Sequence, residues 1–183
     1  MENSKTLKNN ILFDRISESV ILKTERLTIS KIEEADKERY ASLYLDDELN
    51  KWWGYDYRED LGDNKPSPDY FFNFQNLLKE KKEEFSFAVK KDSELIGELV
   101  LHNFGEDDSV EMGFRFFKNC QGKGYALESA NKLKEYVFNT LGAVKLRSRC
   151  YKENFPSANL IKRLGLEKSS ENDTHYFFEL IKK

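Results

Sequence analysis

Cysteine, proline and histidine are scarce in this chain, and no long apolar run is present. Two cysteines in 183 residues, Cys120 and Cys150, are too few for a disulfide framework or a metal cluster. They imply a reduced, cytoplasmic protein in which both thiols are small buried hydrophobes, and no metal is expected. No stretch approaches the length of a membrane span, so no membrane partner is expected. Met1 to Asn10 lacks the apolar core of a signal peptide. Positive charge is not in excess either. Thirty Lys and Arg against 33 Asp and Glu leave a net charge of -3, which argues against a nucleic-acid-binding face. Repeats and low-complexity tracts are absent. With only three prolines and interleaved charges, the chain reads as one domain with a single continuous core.

Periodicity then divides the chain. Alternation predicts strands over 22–30, 84–90, 95–102, 110–117, 145–151 and 175–181. Helical spacing predicts helices over 33–45, 125–141 and 156–164, the second stopped by Gly142 and the third by Gly165. Ser67-Pro68 supplies an N-cap and a first-turn proline for another helix reaching Glu83. Residues 46–65 read as irregular, aromatic and acidic. The class is α+β: a mixed, largely antiparallel sheet with helices on both faces, in three layers. Residues 1–20 read as a loosely docked extension to a domain over 21–183.

One segment carries chemistry. Asn119-Cys120-Gln121-Gly122-Lys123-Gly124-Tyr125-Ala126 stands between a predicted strand and a predicted helix. Glycines one residue apart let the backbone turn sharply and clear side chains from its inner surface. The N–H groups then converge ahead of a helix N-terminus whose dipole favours negative charge, a cradle for phosphate. The Walker spacing does not occur. The dinucleotide fingerprint fails too, because Leu127 stands where a third glycine is needed.

With its flanks, Glu111-Met112-Gly113-Phe114-Arg115-Phe116 before and Glu128-Ser129-Ala130 after, this segment resembles the acyl-CoA-binding region of the GNAT superfamily of N-acetyltransferases. Asn154-Phe155-Pro156-Ser157, running on to Leu164-Gly165-Leu166, is similar to a second signature of that superfamily. Leu22 to Ile29 resembles the opening strand of its ribosomal-protein-alanine branch. The three matches fall in the family's order and cover roughly residues 20–182.

The resemblance implies an acetyl-CoA-dependent N-acetyltransferase whose two central strands splay into a V around the cofactor. It assigns Asn119, Gln121, Gly122, Lys123, Gly124, Tyr125 and Ala126 to the pyrophosphate, and Phe114 and Phe116 to the strand edge along the pantetheine arm. Phe114 N–H or a neighbour would serve as an oxyanion donor. Asn119 departs from the family's usual Gln or Arg, which implies weaker or altered cofactor affinity. Asn154 would bind the thiol end, or else cap its helix. Ser157 would protonate the departing thiolate, or else satisfy the first helical turn. The helical tyrosine used by many relatives is replaced by Leu160 and Ile161. Glu111 would take the amine's proton directly or through water, or only orient the substrate. His102 is the second titratable candidate there, and His175 a weaker one.

The acceptor is expected to be a small-molecule or peptide primary amine. Residues 46–63 carry seven carboxylates (Asp46, Asp47, Glu48, Asp56, Glu59, Asp60 and Asp63) beside Trp52, Trp53, Tyr55 and Tyr57. Acid and aromatic faces together suit a cationic amine, with Trp52, Trp53, Tyr55 and His102 as its wall. The same aromatics could simply pack into the core. Two non-catalytic readings stay open at this point: an acetyl-CoA-binding module, and a protein-interaction domain that docks through the aromatic loop. A homodimer is the default assembly for a chain of this kind.

Overall fold

The computed structural model describes residues 11–62 and 64–182. A short helix, α1 (Ile11–Asp14), precedes two strands, β1 (Ile21–Lys23) and β2 (Thr28–Lys31). The single strand expected over 22–30 is therefore a hairpin, with Ile21 opposite Ser30 and Lys23 opposite Thr28. Thr24 Oγ1 accepts from Leu27 N at 2.9 Å and Thr24 N donates to Leu27 O at 2.9 Å. This hydroxyl-stabilised turn interrupts a stretch whose alternation looks continuous.

Helix α2 (Lys37–Tyr44) follows a 3₁₀ turn and buries Tyr40, Ala41, Leu43 and Tyr44. The stretch expected to be irregular contains two single-turn helices, α3 (Asp47–Asn50) and α4 (Arg58–Leu61). Asp46 starts the first by accepting from Glu48 N and Leu49 N. Asp63 lies outside the described residues. Helix α5 (Pro68–Glu80) opens at the expected proline, although the Ser67 side chain makes no capping bond.

Strands β3 (Glu84–Lys91), β4 (Glu94–His102) and β5 (Ser109–Phe116) form an antiparallel meander. Then come α6 (Tyr125–Tyr136), prolonged by a π turn to Leu141, β6 (Lys145–Tyr151), α7 (Phe155–Arg163), β7 (Glu167–Glu171) and β8 (His175–Ile181). Strand β7 escapes the apolar pattern because all five of its residues are exposed at the sheet's edge. Among the described residues the sheet runs β1-β2-β3-β4-β5-β6-β8-β7, with β5 and β6 the parallel pair.

Two apolar clusters fill the two faces. One joins α1, α6 and α7 to the sheet through residues such as Leu12, Leu133, Ile161 and Phe87. The other seats α2 and α5 through Tyr40, Tyr44 and Phe71 on Ala88 and Leu95. Residues 1–10 lie outside the described residues. The rest of the expected extension is not loosely docked: Leu12, Phe13 and Ile16 are core residues, and Arg15 donates to Leu141 O at 2.6 Å. Among the described residues no helix is long and apolar enough to cross a membrane.

The feature that makes a site is where pairing stops. Parallel bonding between β5 and β6 spans Ser109–Glu111 against Lys145–Arg147. At the next position the Ser148 hydroxyl donates to Met112 O at 2.9 Å, a side chain replacing the ladder. Beyond it the strands part.

Candidate active site

The parting leaves a defined backbone edge. Phe117 N donates to Ile96 O, so in this antiparallel ladder Arg115 and Gly113 also turn their backbone groups toward β4. Met112, Phe114 and Phe116 turn theirs the other way. Gln121 Nε2 meets Phe116 O at 2.9 Å on that side, as Ser148 meets Met112 O. The N–H and C=O of Phe114 and the N–H of Phe116 remain, directed into the gap. An extended amide-bearing ligand could add there as a strand.

The glycine loop closes one end of the gap. Gly122 (φ +73°) and Gly124 (φ +82°) are both left-handed, and α6 begins one residue later with no side-chain cap. Among the described residues the N–H groups of Gly122, Lys123, Gly124, Tyr125 and Ala126 have no protein acceptor. Five free donors at a helix N-terminus suit a pyrophosphate. Gln121 braces the loop against β5, whereas Asn119 and Lys123 are exposed and do not line the cavity.

Arg26 is a contributor that sequence reasoning passed over. Its Nε donates to Glu128 Oε2 at 2.7 Å, its Nη1 to Lys123 O at 3.2 Å, and its guanidinium lies 4.7 Å from the Tyr125 ring centroid. Thr24 Oγ1 also donates to Glu128, at 2.5 Å. The opening hairpin thus clamps the glycine loop to α6. The signal was available in the match over 22–29, but only the fold shows what it touches.

At the other side of the gap, Asn154 Oδ1 accepts from Ser157 N at 3.2 Å and caps α7. Its amide nitrogen has no protein partner among the described residues, so capping and ligand binding are compatible. Cys150 is buried beside Ser157. Burial pushes its thiol pKa up, and the Ser157 hydroxyl partly opposes this. A thiol held protonated is a poor nucleophile.

The amine end lies on the α2 and α5 face of the sheet. Trp52, Trp53 and Tyr55 are half-buried there, Trp52 lying 5.7 Å from Tyr151 between ring centroids. Several carboxylates of the acidic loop are held by local partners. Asp46 is spent on its cap, Asp47 and Asp56 on Arg58, and Asp60 on the Tyr55 hydroxyl. Two of the loop's carboxylates, Asp46 and Glu48, line the cavity together with two strand carboxylates, Glu111 and Glu84. Glu111 is met by Arg149 Nε at 3.1 Å and Asn103 Nδ2 at 3.0 Å, with His102 Nε2 at 3.8 Å. Glu84, which the sequence marks only as the start of a strand, lines the same cavity. Burial, then the charge of Glu98, pushes its pKa up to about 7. Burial lowers the pKa of His102, with Glu111 opposing and Arg149 and Arg147 assisting. Its imidazole is therefore neutral at neutral pH.

The raised carboxyl has a stability consequence. An acid whose folded pKa exceeds its unfolded value destabilises the fold only once it ionises. Stability is intact below about pH 4.5 and falls as pH rises toward 7. Glu84→Gln is expected to gain about 2–3 kcal/mol above pH 7 and almost nothing near pH 4.5. Urea unfolding at the two pH values measures this, and an equal gain at both would contradict it.

A single cavity of about 680 Å³ takes in every residue proposed from sequence except Asn119 and Lys123. It joins the glycine loop, the free edge of β5, Asn154 and Ser157 to Trp52, Trp53, Tyr55, His102 and Glu111. The Acetyltransferase (GNAT) domain family matches residues 26–167. The chain belongs to the GNAT acetyltransferase family. It is accordingly an N-acetyltransferase, and acetyl-CoA is its acetyl donor, which sets aside the two non-catalytic readings. The uncharacterized N-acetyltransferase YnaD of Bacillus subtilis (strain 168) is 30% identical over 129 residues, covering 66% of this chain and 76% of YnaD. Solved structures share the fold at lower identity. Spermidine N-acetyltransferase from Vibrio cholerae, in complex with CoA and spermine, has a TM-score of 0.72 at 19% identity over 86% of this chain and 96% of that one. Ribosomal-protein-S5-alanine acetyltransferase from Vibrio fischeri has a TM-score of 0.69 at 18% identity, over 89% and 97%. The unpaired donors of the glycine loop and the open β5 edge of this acetyltransferase fit the phosphates and amides of acetyl-CoA.

Proposed function

We propose that the enzyme acetylates a primary amine that arrives as a cation, either a peptide N-terminal α-amine or a small polyamine-like molecule. One observation carries the reading: the cavity that contains the free β5 edge ends among Trp52, Trp53, Glu84, His102 and Glu111. Aromatic faces and carboxylates attract an ammonium by cation–π and Coulomb forces. Glu111, fixed by its donors, anchors that ammonium within reach of the strand edge. Gly122 to Ala126 hold the pyrophosphate, Gln121 supports them, and Phe114 and Phe116 pair with the pantetheine arm. Asn154 offers its amide nitrogen to the thiol end. Asn119 and Lys123 act at the rim of the loop.

The chemistry asks little more. Phe114 N–H stabilises the oxyanion. Ser157, beside Cys150 at the thiol end, gives a proton to the leaving thiolate. Ser157→Ala is expected to lower kcat about 10- to 100-fold with acetyl-CoA affinity within about threefold. An unchanged kcat would remove Ser157 from the reaction.

The decisive experiment joins binding to turnover. Calorimetry with acetyl-CoA, dephospho-CoA and ATP should give selective micromolar binding of the first. Thiol release is then followed with spermine and with alanine- and serine-led hexapeptides. Turnover of one class with rejection of the other assigns the acceptor. Binding without release from any of them contradicts the cationic-amine reading.

A further inference from the structure

Register places three titratable side chains in one row. Glu84 on β3 lies opposite His102 on β4, and His102 lies opposite Glu111 on β5. Directly opposed residues project from the same face of a sheet. All three line the cavity at its amine end. A carboxyl, an imidazole and a carboxyl therefore cross three adjacent strands.

The two ends of the row differ. Glu111 carries the Arg149 guanidinium and the Asn103 amide on its oxygens, contacts that hold its carboxylate in place as an anchor. Glu84 has one neutral donor, the Ser86 hydroxyl at 3.3 Å. Two strand spacings, about 10 Å, separate the backbones of Glu84 and Glu111, so Glu84 does not reach an amine held at Glu111. We infer that the row is a proton path: Glu111 receives the ammonium, His102 carries its proton across β4, and Glu84 stores it before release to solvent. The inference rests on the cationic-amine reading above.

The steps balance. The ammonium loses one proton to the row and becomes a neutral amine. Its lone pair forms the new bond to the thioester carbon. The C–S bond breaks with its electron pair passing to sulfur, and the second N–H proton reaches the thiolate by way of Ser157. Each turnover yields amide, free thiol and one proton, the one that leaves through Glu84.

The surroundings of each group suit its part. Glu84 faces Glu98 on β4, Glu83 beside it and Tyr44 from α2, with Arg115 on β5 opposing them. Its pKa of about 7 lets it take a proton and give it back at neutral pH. Desolvated, with Arg149 and Arg147 nearby, His102 begins each cycle neutral and able to accept. The 3.8 Å between His102 Nε2 and Glu111 Oε1 exceeds a hydrogen bond, and His102 makes no ion pair or hydrogen bond with Glu84 among the described residues. The first transfer therefore needs a small ring shift or one water, and the second needs bridging water in the cavity.

The test compares wild type, Glu84→Gln, Glu84→Asp and His102→Gln, with spermine and an alanine-led hexapeptide as acceptors. Wild-type kcat should rise with pH through an apparent pKa near 7. Glu84→Gln should lose that limb and about 10- to 100-fold in kcat while KM for acetyl-CoA stays within about twofold. Glu84→Asp should keep the limb. A limb that persists in Glu84→Gln overturns the path. Infrared titration of the carboxyl stretch serves as a second reading without any acceptor. A carboxyl titrating near pH 7, absent in Glu84→Gln and shifted in His102→Gln, supports the row; no such carboxyl overturns it. Failure of both amines to react refutes the acceptor reading instead, and the infrared result still decides the row.

Discussion

Replacing Gly124 with valine is expected to weaken acetyl-CoA binding about 100-fold or more, which is about 2.7 kcal/mol, while the sheet stays folded. Gly124 stands at φ +82°, where an L-residue costs roughly 1–2 kcal/mol and a β-branched one more. A Cβ there would also lie 3.3 Å from Arg26 Nη2. Arg26 would then have to give by a few tenths of an ångström, straining its contacts with Glu128 and Lys123 O, which tie the opening hairpin to the loop. Either adjustment spoils the convergence of N–H groups on which the cradle depends. Gly122 is the internal comparison. It too has a left-handed backbone (φ +73°), but a Cβ there meets nothing within 4 Å. Gly122→Val should lose only about 10-fold, the part due to backbone strain. Calorimetry with acetyl-CoA separates the two variants. Binding by Gly124→Val within about threefold of wild type would mean that the phosphates sit elsewhere.

The cradle was legible in the sequence because its physics is local: two glycines, an uncapped helix start and a preceding strand lie within a few residues. The meander of β3 to β5 was legible because its apolar alternation is long. What escaped depends on partners distant in sequence, or on polar segments without a pattern. The turn at Thr24 to Leu27 is closed by a backbone bond and one hydroxyl inside an apparently continuous strand, and β7 is wholly exposed. Glu84 is the instructive miss. Nothing around it in sequence marks it as unusual. Its significance comes from a register that sets it beside His102, from its own burial and from the charge of Glu98. The acidic loop is partly structural: a helix cap and Arg58 engage Asp46, Asp47 and Asp56, contacts its composition does not reveal.

The buried pair Glu98–Arg115, also invisible in the sequence, is expected to give the largest loss of stability when broken. Glu98 is 0% exposed and Arg115 5%. Arg115 Nε donates to Glu98 Oε1 at 2.5 Å, and Nη1 reaches Asn50 Oδ1 at 2.9 Å and Leu43 O at 3.4 Å. The guanidinium lies 3.9 Å from the Tyr44 ring centroid and 4.4 Å from that of Trp53. Arg115→Met leaves a carboxylate in the interior without its partner, and removing one member of such a pair costs about 3–5 kcal/mol. Glu98→Leu should cost a similar amount by stranding the cation. The double variant Glu98→Leu/Arg115→Met removes both charges and should recover most of the loss in urea unfolding, because an apolar replacement of a buried pair is often neutral. Its catalysis should not recover. Asn50 and Trp53 touch the guanidinium itself, so the methionine leaves the amine wall without its anchor and KM for the acceptor should stay raised about 10-fold. Single variants within about 1 kcal/mol of wild type would show that the pair is solvated rather than buried. A double variant that regains both stability and acceptor KM would show that Trp53 holds its place without Arg115, and that the pair serves the core alone.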